Sequence, residues 1–211
     1  MNKLLVKKFV LGMVGTNCYI IINTNNNQAI IVDPADDADI IEEYIKKEDL
    51  KCKGILLTHG HFDHIGAAEE LAESFGVEIY AFKEEAELLA DKKLNFSIGV
   101  GQDISLTADV LLVDKQKIEL AGFDIKVLHT PGHTKGSACY LFIDEDIILT
   151  GDTLFFENIG RCDLPTGNFE EIINSLNSKL MILDNNIRVY PGHGELTDIG
   201  HEKLNNPYVE C

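Results

Sequence analysis

Thr58-His59-Gly60-His61-Phe62-Asp63-His64 puts three histidines and an aspartate into six consecutive positions. Three shorter strings carry the same chemistry: Pro131-Gly132-His133, Thr150-Gly151-Asp152 and Pro191-Gly192-His193. Of seven histidines in the chain, five lie in these strings. Imidazole nitrogen and carboxylate oxygen bind first-row divalent metals, and His59, His61, Asp63, His64, His133, Asp152 and His193 are donors enough for two ions. Two ions a few ångströms apart share a water and lower its pKa from about 16 towards 7, which gives a hydroxide that attacks an acyl carbonyl at neutral pH. No serine or cysteine nucleophile is then needed. Two divalent ions, two aspartates and a hydroxide sum to about +1, a positive spot that attracts anionic groups. A lone histidine is more often a structural residue than a ligand, but a string of the form H-x-H-x-D-H together with two P-G-H turns is hard to explain that way.

Elements that place these strings are readable from periodicity and turn residues. Strand patterns cover residues 4–10, 17–22 and 28–32, with an asparagine-rich turn at 23–27. Asp36 or Asp37 can cap a helix that runs through IIEEYIKK. A short strand at 54–57 ends on the histidine string, followed by a helix at 65–75 closed by Gly76. A strand at 77–82 and a helix at 84–90 come next, and the irregular segment 91–109 is a candidate cover for a cleft. Strands are expected at 110–113, 117–120, 124–128, 138–143 and 146–149, a helix at 170–180, a strand at 188–190 and a short helix in the tail from Glu195. Each donor string follows a strand, so strand ends at one sheet edge can bring donors together from distant parts of the chain. The order of elements suggests two packed sheets with helices outside. In the histidine string, alternate side chains point the same way, which pairs His59 with His61 and leaves Asp63 and His64 for a second position. Gly60, Gly132 and Gly192 allow close approach of the backbone.

With 211 residues and 45% hydrophobic content, one domain spanning 1–211 is the expectation. A net charge of −17 and the lack of a basic run disfavour nucleic acid and anionic membrane surfaces as partners. No apolar run approaches a membrane span, and the lysines within MNKLLVKKFVLGMVG argue against a secretion signal. Five cysteines (Cys18, Cys52, Cys139, Cys162 and Cys211), with no C-x-x-C pair, fit reduced thiols in the cytoplasm. Composition does not address the oligomeric state.

The T-H-x-H-x-D-H string and the phrases HTPGHTKGS, LTGDTLF, IGRCDLP and VYPGHGELT resemble the metallo-β-lactamase superfamily, and within its hydrolase branch the glyoxalase II-like (hydroxyacylglutathione hydrolase-like) group. The resemblance covers nearly the whole chain. It implies an α/β fold, a four-layer αββα sandwich, with the site along one edge. It implies one ion on His59, His61 and His133, a second on Asp63, His64 and His193, and Asp152 bridging both. Two zinc ions are the expected cofactors, with iron or manganese accepted by the same donors. Asp63 and Asp152 would be the catalytic carboxylates, and the substrate a small thioester such as S-lactoylglutathione. The chain ends eighteen residues after His193, which resembles the short form of the group without the added helical region that grips glutathione in longer members.

In this branch a basic residue where Arg161 stands can meet anionic substrate groups; a surface salt bridge is the competing reading. Lys135 is a weaker candidate for the same role. Cys162 reads as a packing residue. Asp33 is either an acceptor behind a ligand or a turn residue before Pro34. His129 reads as a core residue or a partner of a ligand, and His201 as a surface residue. Three other functions compete: a single-iron oxidoreductase resembling the persulfide dioxygenases, using His59, His133 and Asp152; a metal hydrolase of another ester or amide; and a role in which metal serves the fold alone. The last is disfavoured because structural zinc sites are rich in thiolate and this set has none.

Overall fold

The structure, a computed structural model, describes residues 3–209; Cys211 lies outside the described residues. Two sheets of six strands make its centre. The first contains β1 (Leu4–Leu11), β2 (Thr16–Asn23), β3 (Gln28–Val32), β4 (Lys51–Leu56), β5 (Ile79–Phe82) and β6 (Val110–Leu112), side by side in chain order. The second contains β7 (Lys117–Leu120), β8 (Phe123–His129), β9 (Ala138–Phe142), β10 (Ile147–Gly151), β13 (Arg188–Pro191) and β14 (Thr197–Asp198). Between β10 and β13 a small hairpin stands apart, made of β11 (Leu154–Phe155) and β12 (Asn158–Ile159). Helices α1 (Ala38–Lys47), α2 (Phe62–Ile65), α3 (Ala68–Phe75) and α4 (Ala86–Ala90) belong to the first half, α5 (Phe169–Ser175) and α6 (Ile199–Asn205) to the second.

Side-chain alternation explains the layering. In β2, Tyr19 and Ile21 enter the core between the sheets, while Ile20 and Ile22 pack on the opposite face. In β3, Ile30 and Val32 face inward and Ala29 and Ile31 outward. Strands buried on both faces read as continuous apolar runs, as these do. Tyr19, Ile30 and Leu56 of the first sheet meet Phe123, Val127 and Tyr140 of the second. Ile41 and Ile45 of α1 and Leu71 of α3 cover the outer face of the first sheet. Ile172 of α5 and Ile199 of α6 cover that of the second. The result is the expected four-layer αββα sandwich.

Several boundaries differ from the sequence expectation. The helix expected at 65–75 is two helices, and it starts three residues earlier. The chain turns between them at Gly66 and Ala67, where Ala67 N–H donates to Pro34 O (2.9 Å) and a Cβ on Gly66 would lie 2.2 Å from Ala35 O. Neither Asp36 nor Asp37 caps α1 with its side chain; Asp37 takes the cap position at φ 54°. The helix expected at 170–180 is capped by Asn168, which accepts from Glu171 N–H, and its last turn widens into a π turn at Leu176–Leu180. The β11–β12 hairpin and β14 were not anticipated. No helix among the described residues is long and apolar enough to cross a membrane.

Candidate metal centre

Topology explains why donors distant in sequence meet. β9 is antiparallel to both β8 and β10, and β13 is parallel to β10. The strands β8, β10 and β13 therefore run in one direction, and His133, Asp152 and His193 follow their ends. Across the sandwich, β4 leads into the histidine string. Bonds between the sheets lock the two edges together. Ala138 N–H donates to Thr58 O (2.9 Å), and the Tyr140 hydroxyl to Leu57 O (2.7 Å). On the other side, Asn17 N–H donates to Gly192 O (2.7 Å) and the Tyr19 hydroxyl to Pro191 O (2.8 Å).

All seven candidate donors converge. His59, His61 and His133 form one group with ligand atoms within 4.8 Å of one another, and Asp63, His64 and His193 form another. His59, His64 and Asp152 form a third, so Asp152 joins a histidine from each trio. Its Oδ2 is 3.5 Å from Nε2 of both His133 and His193, and its Oδ1 is 3.4 Å from Nε2 of His64. Asp63 Oδ2 is 3.3 Å from Nε2 of His193 and accepts from the Thr16 hydroxyl (3.0 Å).

Outer hydrogen bonds decide which ring nitrogen faces inward. His64 Nδ1–H donates to Asp33 Oδ2 (3.0 Å), and His133 Nδ1–H donates to the carbonyl of Arg161 (2.8 Å). The Thr58 hydroxyl donates to Asp33 Oδ2 (2.6 Å) and faces Nδ1 of His59 at 3.2 Å, where it can accept. In each ring the proton is held on Nδ1, and the Nε2 lone pair is left for the cluster. Asp33 therefore acts through His64 and Thr58 rather than only as a turn residue.

Electrostatics match a cation site. Burial pushes His59 well below the usual imidazole value, and the neighbouring His64 and His133 add to this. Burial, then His133, pushes His61 down to about 3. Burial also lowers His133, outweighing Asp152. Burial opposes ionisation of Asp63 and Asp152, yet His64 and His193 hold Asp63 at about 2, and His64 foremost holds Asp152 below the usual carboxylate range. His64 and His193 are raised despite burial, His64 chiefly by Asp152 and Asp63, His193 by its bond to Asp63 and then Asp152. The carboxylates thus demand positive charge between them. His61 Nε2 and Asp152 Oδ1 are buried without a hydrogen-bond partner. Neutral imidazoles at His59, His61 and His133, ionised carboxylates and an orphaned buried oxygen fit divalent ions well, and bound ions would take the place of the protons that the carboxylates now hold on His64 and His193.

Two glycines make room, for different reasons. A Cβ on Gly192 would lie 2.2 Å from Asp152 Oδ1 and 2.7 Å from His64 Cε1. At Gly60 the obstruction is Leu89, at 2.7 Å, so that glycine serves packing rather than approach to the donors.

A pocket of about 540 Å³ opens onto His61, Asp63, His133, Asp152 and His193. Arg161 lines it, and its guanidinium binds both oxygens of Asp163 (2.7 and 2.8 Å), the surface salt bridge of the competing reading. Lys135 is exposed and does not line the pocket, which corrects its assignment as a substrate contact; its carbonyl accepts from His129 Nε2–H (2.9 Å). His129 stacks on Phe82 (4.2 Å between centroids) away from the donors, and His201 stacks on Phe156. Cys162 packs against the α5 side of the second sheet. From the 91–109 segment, Phe96 and Val100 reach the pocket.

Sequence reasoning missed Glu85. Its buried carboxyl accepts from Gly60 N–H (2.8 Å) and the Thr134 hydroxyl (3.0 Å), clamping the loop of His59 and His61 to that of His133. Burial pushes this carboxyl up to about 7 against those bonds and one from Gly136. A glutamate pair in a helical stretch gave no signal of this.

A four-layer sandwich with this donor set at one edge defines a class of metal-dependent hydrolases. The chain belongs to the Metallo-beta-lactamase superfamily, whose family model matches residues 11–193. Hydroxyacylglutathione hydrolase GloC of Haemophilus influenzae is 38% identical over 199 residues, 92% of each chain. The crystal structure of BLEG-1, a B3 metallo-beta-lactamase, superposes with a TM-score of 0.92 at 37% identity, over 97% of this chain and 99% of that one. TTHA1623 in a di-iron-bound form gives 0.86 at 29% identity, over 96% and 99%.

Proposed function

We propose that the protein is a dinuclear metal hydrolase of thioesters, with S-lactoylglutathione the first substrate to test. The observation that carries this reading is the position of Asp152, whose carboxylate reaches histidines of both donor trios. The similarity to a hydroxyacylglutathione hydrolase supports the substrate class. Zinc is the first expectation for both ions, and the nitrogen and oxygen donors also suit iron and manganese.

Bound divalent ions would supply a water acidic enough to ionise near neutral pH and would polarise an acyl carbonyl. The chain's own residues do the rest. Asp33, Thr58 and the Arg161 carbonyl hold His64, His59 and His133 with Nε2 forward. Asp63 and Asp152 are ionised, which suits them to hold cations, and the Thr16 hydroxyl orients Asp63 by donating to its Oδ2. In balance, thioester and water become carboxylic acid and thiol, the proton lost by the water ending on the departing sulfur. Phe62, Phe96 and Phe155 limit bulk water in the pocket. The free cysteines Cys18, Cys52, Cys139 and Cys162 support action in a reducing compartment, the cytoplasm. The acidic balance supports a small-molecule substrate over nucleic acid.

Thiol release by protein of verified metal content tests the reading. His61→Ala and Asp152→Ala should each lower kcat/KM by roughly 10²-fold or more. Undiminished turnover in both variants would contradict it. Oxygen uptake with glutathione persulfide, or β-lactam cleavage, in place of thiol release would reassign the reaction.

A further inference from the structure

Beside the candidate metal ligands, most of the pocket lining is apolar, Val14, Phe62, Phe96, Val100, Phe155 and Ile159 among it, with Asn158 a neutral polar residue. Arg161 is the one lysine or arginine among the described lining residues, and Asp163 already matches its charge through two hydrogen bonds.

Phe96 has the least ordinary backbone of the set. Its φ is +68°, a region that bulky L residues visit at a cost. Fully buried neighbours fix the chain on either side. Asn95 Nδ2–H donates to Ile104 O (2.8 Å), and the Asn95 carbonyl accepts from Phe62 N–H (2.9 Å). Ser97 N–H donates to Asn95 Oδ1 (2.9 Å), and the Ser97 carbonyl accepts from Gln102 N–H (2.9 Å). These bonds hold the backbone on both sides of residue 96, and they tie its loop to the helix of Asp63 and His64. Glycine or asparagine would suit that backbone. A phenylalanine held there instead, 38% exposed with its ring at the pocket, points to use of the ring.

We propose that this pocket takes an ester or thioester bearing an apolar group beside the scissile bond, and that Phe96 is the residue that selects for it. The proposal deepens the hydrolase reading and rests on it for the position of the scissile bond. Its binding test stands apart from turnover.

The experiment is calorimetric titration of the metal-loaded protein with straight-chain carboxylates from acetate to hexanoate, and with the matching thiols. One series reports the acyl side and the other the thiol side. Affinity should rise about 4-fold per methylene in at least one series, with a negative heat-capacity change, and lactate should bind no better than acetate. Phe96→Gly and Phe96→Asn, both suited to the backbone, should flatten the slope, while Phe96→Leu should keep most of it. Flat series on both sides, or a slope indifferent to the Gly and Asn variants, overturn the proposal. Parallel hydrolysis of S-acyl derivatives of one thiol separates the two readings. Turnover indifferent to chain length removes the specificity and leaves the hydrolase. A steep binding slope without turnover keeps the pocket assignment and removes the thioesterase.

Discussion

Asp33 Oδ2 lies 3.0 Å from Nδ1 of His64, while Nε2 of the same ring faces Asp63 and Asp152 at 3.7 and 3.4 Å. One carboxylate therefore sets the tautomer of a ligand it stands behind. The same Asp33 takes bonds from Thr58 N–H (2.8 Å) and the Thr58 hydroxyl, and so also fixes the approach to His59.

Asp33→Asn tests this relationship. Asparagine tolerates the φ of 48° found there. Its amide offers an N–H where His64 now finds an acceptor, which favours the wrong tautomer. We expect metal affinity at the site of Asp63, His64 and His193 to fall roughly 10- to 100-fold, with a smaller effect on the other ion. Competition with a chromophoric chelator measures both, and unchanged affinities would remove Asp33 from the account.

Gly192→Ala tests the close approach of the backbone to the cluster. The new Cβ would meet the Asp152 carboxylate and the His64 ring at distances no side chain tolerates. Displacing that carboxylate by even an ångström should lower turnover by roughly 10²-fold and reduce bound metal, with far-ultraviolet circular dichroism unchanged. A variant with full activity and metal content would show that the carboxylate can move without penalty.

Glu85 predicts a pH dependence of stability. Its folded pKa of about 7 lies above the ordinary 4.5, so the folded state binds the proton more tightly than the unfolded state. The stability that this preference contributes is fully present below pH 4.5 and is lost as pH rises through 7. The loss is on the order of 3 kcal/mol at most. Buried neutral histidines such as His59 and His61 act in the opposite sense, losing stability as pH falls below 6.5. The difference between wild type and Glu85→Gln isolates the carboxyl. Denaturant titrations of chelator-treated protein at pH 5 and pH 8 should show a wild-type decline, relative to the variant, over that interval. Parallel pH profiles would contradict it.

Much of the site was legible in the sequence because metal binding needs particular atoms in short, local strings. His59, His61, Asp63 and His64 sit within one turn, and P-G-H and T-G-D mark chain reversals after strands. The layer order followed from strands buried on both faces, as in β2 and β3. What escaped depended on long-range contact. Glu85 looked like any surface glutamate until Gly60 and Thr134 were seen to bond it. Lys135 looked well placed because sequence distance to His133 is short, but it is exposed and is not among the residues that line the pocket. The β11–β12 hairpin is too short for periodicity to register, yet it carries Phe155 and Ile159 to the pocket. Phe96 was hidden within an irregular stretch, since nothing local to it reveals a positive φ.

Elemental analysis of metal bound per chain, run on wild type and Asp152→Ala purified side by side, tests the central claim most directly. The geometry predicts close to two equivalents of divalent metal in the wild type and a clear loss in the variant, because one carboxylate serves both trios. Wild-type protein that binds no divalent metal under saturating conditions, or a variant that retains the full complement, would contradict the account.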